Sequence, residues 1–261
     1  MPFLEKMKLH HRIIGQGTDL YIFHGLFGMS DNWQSFGRQL AEKGFRVILG
    51  DLRNHGHSAH AAPHDYPTLA ADIAELIHDL GSVNPIVMGH SMGGKAVMQL
   101  LNDRPGLLSK AIIVDIAPWR YPVHHREILD ALLSIDLNVI KTRKGAEEIL
   151  EQQIDDNGIR QFLLKNLYWQ TPEQLAWRFN LHLLNEQIDE VGEPTWPTVP
   201  VTTPILFIKG ENSGYIDPFR FNEIEQWYPN AELVEIPNAG HWVHAENAAD
   251  LMKEVDRFLS F

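Results

Sequence analysis

Short apolar runs recur along the chain, and most are followed by a stretch whose apolar residues return at helical spacing. Asp19–His24, Arg46–Gly50, Pro85–Gly89, Ala111–Val114, Pro204–Ile208 and Glu232–Ile236 read as strands. After the first run, Trp33, Phe36 and Leu40 form a helical stripe behind a capping candidate at Ser30 or Asp31. After the second, Leu69, Ile73, Leu76, Ile77 and Leu80 share one helix face. Ser91 to Asp103 reads as a helix through Ala96, Val97, Leu100 and Leu101, and the last helix carries Ala248, Leu251, Met252, Val255, Phe258 and Leu259. Strand and helix in alternation predict an α/β protein with a mostly parallel sheet flanked by helices.

The rhythm breaks between Pro118 and Thr203, where helical patterns appear and no strand is evident. The sheet pattern resumes at Pro204. The expected organisation is a core formed by 1–117 and 204–261, with 118–203 inserted as a helical cap or lid. A chain of 261 residues suits one domain plus such an insertion.

Composition removes several classes of function. With no cysteine, disulfide frameworks, thiolate catalysis and Cys-ligated zinc are excluded. The net charge of −12 comes with no basic block, so neither a nucleic-acid footprint nor an anionic-lipid patch is expected. No run approaches the roughly 18 to 20 apolar residues of a membrane span. Met1 to Gly17 is too polar for the centre of a signal peptide, and a cytoplasmic setting is the expectation.

Gly89-His90-Ser91-Met92-Gly93 fits G-x-S-x-G and lies between a strand and a helix, where this motif lifts a serine hydroxyl into the open on a tight turn. A serine hydroxyl needs a base within hydrogen-bonding reach to act as a nucleophile. In the chain order serine, acid, histidine, the base must follow the last strand, which leaves His241 and His244. His241 sits in the glycine-bearing loop Asn238-Ala-Gly-His-Trp242, whereas His244 opens the last helical region, where capping or exposure accounts for it. The predicted base is therefore His241. Acyl transfer also needs N–H donors for the developing oxyanion. Met92, next to the nucleophile, supplies one, and the loop His24-Gly-Leu-Phe-Gly28 supplies the other through Leu26, with Phe27 as the alternative.

Together these motifs resemble the α/β-hydrolase superfamily and, within it, the bacterial YbfF-type esterases. The resemblance rests on His24-Gly-Leu-Phe-Gly28, Asp51-Leu-Arg-Asn-His-Gly-His-Ser58, Gly89-His-Ser-Met-Gly-Gly-Lys-Ala96, Asp115-Ile-Ala-Pro118 and Gly240-His-Trp-Val-His-Ala-Glu246. It implies the α/β-hydrolase fold and an esterase for short to medium acyl chains, with acyl-CoA thioesters as possible substrates and no cofactor.

Many members of that fold carry the acid just after the strand that is Pro204–Ile208 here, but this loop has Asn212 near that slot. Asp217, further on, precedes Pro218 in the pattern of a helix N-cap. Asp115 stands at the end of the strand beside the nucleophile's, where the resembling esterases place the acid, and is the assignment over Asp217. The loop from Gly210 to Asp217 is then free for substrate or lid contacts.

His55, His57, His60 and His64 are close enough in sequence to suggest a metal, but carboxylate partners are sparse and no metal is expected. The insertion is rich in aromatics, Trp119, Tyr121, Phe162, Tyr168, Trp169, Trp177, Phe179 and Trp196, mostly for packing, with some free to line an acyl pocket. Lys141, Arg143 and Lys144 read as a solvated face rather than a CoA phosphate site. The expected partner is a small-molecule ester or thioester. The alternatives are hydrolysis of a carbon–carbon bond in a β-diketone-like substrate, or ligand binding without catalysis.

Overall fold

A computed structural model describes residues 7–123 and 125–260. The chain runs β1 (His11–Ile14), β2 (Thr18–Phe23), α1 (Gln34–Glu42), β3 (Phe45–Gly50), α2 (Tyr66–Asp79), β4 (Ile86–His90), α3 (Met92–Asp103) and β5 (Lys110–Val114). Five helices follow, α4 (Arg126–Leu133), α5 (Arg143–Leu150), α6 (Asn157–Leu164), α7 (Leu181–Glu186) and α8 (Ile188–Gly192), with β6 (Leu167–Thr171) and β7 (Gln174–Trp177) between the third and the fourth. The core resumes with β8 (Ile205–Gly210), α9 (Phe221–Glu225), β9 (Ala231–Ile236), α10 (Val243–Glu246) and α11 (Ala248–Leu259).

Seven strands form one sheet in the order β1-β3-β2-β4-β5-β8-β9. All neighbours are parallel except β1, which pairs antiparallel with β3. All six expected runs are strands of this sheet. The central ones are apolar without alternation because both faces are covered. Leu20 and Ile22 face a core built with Trp33, Phe36 and Leu40 of the α1 region and Leu251, Val255 and Phe258 of α11. Tyr21 and Phe23, one residue out of phase, face the opposite core with Leu69 and Ile73 of α2 and Val97 and Leu101 of α3. The seventh strand of this sheet, β1, is four residues long, part-exposed and at the edge, so it carries little hydrophobic signal in the sequence.

The structure corrects two local expectations. Ser30 and Asp31 do not cap α1; Ser30–Trp33 is a 3-10 turn leading into it. The Ser30 N–H goes to Asp51 Oδ1 at 2.6 Å, and the side chain that closes this turn is Asn32, accepting the Met29 N–H at 2.7 Å. The segment 118–203 is not free of strands either. β6 and β7 pair antiparallel, with Leu167 opposite Trp177. The hairpin is short, and its Trp169 points to solvent at 52% exposure, which hides the two-residue period.

Lys95 fastens this segment to the core. Its buried ammonium donates to the carbonyls of Trp119 (2.7 Å), Gly192 (3.3 Å) and Glu193 (2.5 Å), at the two ends of the inserted helices. An ammonium has three N–H donors, so the three acceptors saturate it. The rings of Tyr66 and Tyr121 lie within cation–π reach, at 5.5 and 4.8 Å. No helix among the described residues is long and apolar enough to cross a membrane.

Candidate active site

In parallel sheets of this kind, functional groups gather outside the carboxyl ends of the strands. Ser91 follows β4, Asp115 follows β5, the loop from Gly210 follows β8, and His241 comes after β9. These strands are consecutive in the sheet, so the groups meet above one edge.

The turn at Ser91 requires close backbone approach. A Cβ at Gly89 would sit 2.3 Å from the Gly93 carbonyl oxygen, and one at Gly93 would sit 2.6 Å from the His24 oxygen. Ser91 itself has φ 52° and ψ −120°, a conformation costing on the order of 1–3 kcal/mol for a residue with a side chain. The Ser91 N–H bonds back to Val114 O at 2.9 Å, which holds the turn against β5.

His241 Nε2 lies 3.0 Å from Ser91 Oγ, and His241 Nδ1 lies 2.8 Å from Asp115 Oδ2. The Asp115 side chain is fully buried. Its carboxylate also accepts the Gly210 N–H (2.9 Å) and the Ser213 hydroxyl (2.5 Å), so its charge is not left unpaired. The carboxylate accepts a hydrogen bond from Nδ1–H, which fixes that tautomer and leaves Nε2 free to accept from the serine. Asp217 instead accepts the Phe219 N–H at 2.9 Å, the N-cap contact that Asp before Pro predicts. The loop from Gly210 to Asp217 does more than the sequence suggests. Tyr215 borders the space beside Ser91 and its carbonyl accepts from the Tyr121 hydroxyl of the inserted segment, while the same loop also holds the acid and the base. Gly210 and Ser213 hold Asp115, and the Tyr215 ring stacks on His241 at 4.2 Å.

Three further contacts fix the His241 loop. The His90 Nε2–H donates to the His241 carbonyl at 2.8 Å. Glu246 accepts the N–H groups of Gly240 (2.6 Å) and Trp242 (3.1 Å). His244 is neither a cap nor simply exposed: it is half-buried and stacks on Trp33 at 4.2 Å.

At the expected oxyanion loop, a tight turn runs from Gly25 to Gly28, closed by Gly28 N–H to Gly25 O at 3.0 Å. Phe27 takes the left-handed conformation there, with φ 59°. Its N–H is spent on His55 Nε2 (3.1 Å), and its carbonyl accepts from Asn166 Nδ2 (2.8 Å). That use of the Phe27 amide disfavours the alternative donor and leaves Leu26 as the choice. Met92 is the first residue of α3, whose opening amides have no partner inside the helix.

Sequence reading missed the two histidines that set this loop. His24 Nε2 accepts the Leu52 N–H (3.0 Å), which makes Nδ1 the donor to Gly25 O (2.8 Å). His55 Nε2 accepts from Phe27, which makes its Nδ1 the donor to Arg53 O (3.0 Å). Both must be neutral, and burial indeed pulls both below the usual histidine range, His55 well below it. With both ring nitrogens engaged, His55 is no metal ligand here. Among the described residues, His55, His57, His60 and His64 form no group with ligand spacing. His55→Leu should strand the buried Phe27 N–H and let the turn relax. Removing such a contact costs about 1–3 kcal/mol, so kcat should fall roughly 10- to 100-fold with little change in KM. Unchanged kcat would show that His55 does not position the loop.

Burial also lowers His64, to about 4, and takes His90 well below its usual range. The folded-state pKa of each of these four buried histidines lies below the unfolded value, near 6.5. As pH falls through about 6.5 the unfolded chain therefore binds protons that the folded one refuses, and stability is lost. Thermal melts should show Tm falling progressively between about pH 6.5 and 4. A Tm constant down to about pH 4.5 would mean that these histidines are not buried neutral.

Beside Ser91 lies a cavity of about 220 Å³, lined by Leu26, Phe27, Trp33, Phe162, His241 and Trp242 among others. Of the aromatics in the insertion, Phe162 borders it, and Tyr121 borders a smaller cavity that also reaches Ser91. Lys141 is engaged with Leu137 O and Gln174, and Lys144 pairs with Glu148, both at the surface.

The sequence profile described as the alpha/beta hydrolase fold matches residues 20–144. The chain is 34% identical over 245 residues to esterase YbfF of Escherichia coli K12, covering 93% of each. It is 35% identical over 248 residues to the mouse sn-1-specific diacylglycerol lipase ABHD11, covering 92% of this chain and 80% of that one. Among solved structures, a marine microorganism esterase superposes with a TM-score of 0.93 at 37% identity, covering 97% of this chain and 99% of the other.

Proposed function

The chain belongs to the α/β hydrolase family as an esterase/lipase-type member, and from that premise we propose that it cleaves carboxylic esters or thioesters of short to medium acyl chains through an acyl-enzyme on Ser91. The observation that carries this reading is the unbroken line from Asp115 through His241 to Ser91 Oγ, at 2.8 and 3.0 Å. His241 Nε2 takes the serine proton as Oγ attacks the acyl carbon. The amides of Leu26 and Met92 hold the oxyanion, and Asp115 balances the imidazolium. The imidazolium then protonates the leaving alcohol or thiol, and water repeats the sequence on the acyl-enzyme. No step calls for a metal or cofactor.

We read 118–203 as the cap: Ile128 of α4 and Ile159, Phe162 and Leu163 of α6 line the cavity over the serine. The cysteine-free composition supports a cytoplasmic setting. The test is steady-state turnover of p-nitrophenyl esters and acyl-CoAs of matched chain length. Turnover of either class, lost in Ser91→Ala, is the expected result. Failure of both classes would overturn the proposal and favour a ligand-binding role on the same fold.

A further inference from the structure

We infer that Ser91 stands between a small acyl site and a larger apolar leaving-group site, so that the substrates are acetyl or propionyl esters of bulky apolar alcohols. This inference rests on acyl transfer at Ser91 as proposed above. Two cavities meet at Ser91 and share His125 and Tyr215 as borders. The larger, about 220 Å³, is bordered by His241, Trp242 and Phe162. The smaller, about 20 Å³, is bordered by Met92, Ile116, Tyr121, Val123 and Ile188. His241 borders only the larger one.

That asymmetry orients the substrate. When the tetrahedral intermediate collapses, the bond from the acyl carbon to the leaving oxygen breaks, and that oxygen receives the proton held on His241 Nε2. A proton donor must lie within hydrogen-bond reach of the atom it serves. The leaving group therefore occupies the cavity that contains the imidazole. The oxyanion takes the Leu26 and Met92 amides and Ser91 Oγ takes the third position, so the acyl chain is directed into the smaller cavity. Tyr215, whose ring stacks on His241 at 4.2 Å, borders both spaces. A cavity needs roughly 10–15 Å³ to hold one water. The space of about 20 Å³ thus takes the methyl or ethyl end of an acyl group, while the one of about 220 Å³ takes a ring or a branched chain.

Two substrate series test this. In the first the acyl group lengthens, from acetyl through butyryl to octanoyl, on p-nitrophenol. In the second the acyl group stays acetyl and the alcohol grows, from ethanol to hexanol to 2-phenylethanol. In the wild type kcat/KM should fall about tenfold or more at each acyl step and rise about tenfold across the alcohols, the scale of discrimination an apolar pocket gives. Ile188→Ala should raise butyryl relative to acetyl turnover about tenfold. Val123→Ala, at a less buried site, should shift the ratio the same way and serves if Ile188→Ala does not fold. Phe162→Ala should weaken the alcohol preference and leave the acyl order unchanged. Octanoyl cleaved as well as acetyl, or an acyl order moved by Phe162→Ala and not by Ile188→Ala or Val123→Ala, would overturn the assignment. Ester turnover with the wrong chain-length order would sink this inference alone, whereas no turnover of any ester and no fluorophosphonate labelling would sink the acyl-enzyme reading beneath it.

Discussion

Asp115→Asn is expected to lower kcat by about 10⁴-fold while the protein still folds. The amide has the shape of the carboxylate, and its oxygen can still accept from the Gly210 N–H. It cannot accept from both Ser213 Oγ and His241 Nδ1 through the second arm, because that arm now carries N–H groups. An N–H facing Nδ1 drives the imidazole to the opposite tautomer, with its proton on Nε2 and aimed at the serine. The imidazolium also loses the full negative charge that stabilises it. Asp217→Asn serves as the control. Asparagine caps a helical turn about as well as aspartate, so activity should stay within about twofold. If Asp217→Asn alone abolished turnover, Asp115 would not be the acid.

Ser91→Ala should lower kcat by about 10⁶-fold, since removal of the nucleophile leaves only binding and the oxyanion donors. Stability should change little. The hydroxyl's bond to His241 contributes about 1 kcal/mol, and the strained backbone at Ser91 is as costly for alanine as for serine. Steady-state kinetics and thermal melts on the same preparations separate the two effects. A residual rate within about tenfold of wild type would assign the chemistry to another group.

Much of this molecule can be read from its sequence, for identifiable reasons. The five inner strands announce themselves because a sheet covered on both faces leaves little room for polar residues, and β9, at the edge, shows through Leu233, Val234 and Ile236 between exposed glutamates. Ser91 is legible because its turn needs glycines at positions 89 and 93, where a side chain would strike backbone. His241 follows from chain order. Asp115 is less legible, because nothing local marks an aspartate at a strand end as an acid rather than a turn residue; its left-handed φ of 51° shows only in the structure. The supporting contacts were not readable at all. Ser213, Tyr215 and His90 act on Asp115 or His241 across long stretches of chain, through pairings that depend on strand order, while Glu246 braces the His241 loop locally through the Gly240 and Trp242 amides. His24 and His55 were visible as histidines, but their tautomers follow only from which backbone groups they face. Lys95 was masked in the same way: a lysine on a helix after a glycine pair gives no hint that three carbonyls of a distant segment converge on it.

The most direct test of Ser91 as the nucleophile is the intact mass of the protein after reaction with a fluorophosphonate, followed by mapping of the modified peptide. The expected result is one adduct per chain, carried on Ser91, absent in Ser91→Ala and formed far more slowly in Asp115→Asn. No adduct, or an adduct that persists undiminished in Ser91→Ala, would contradict it.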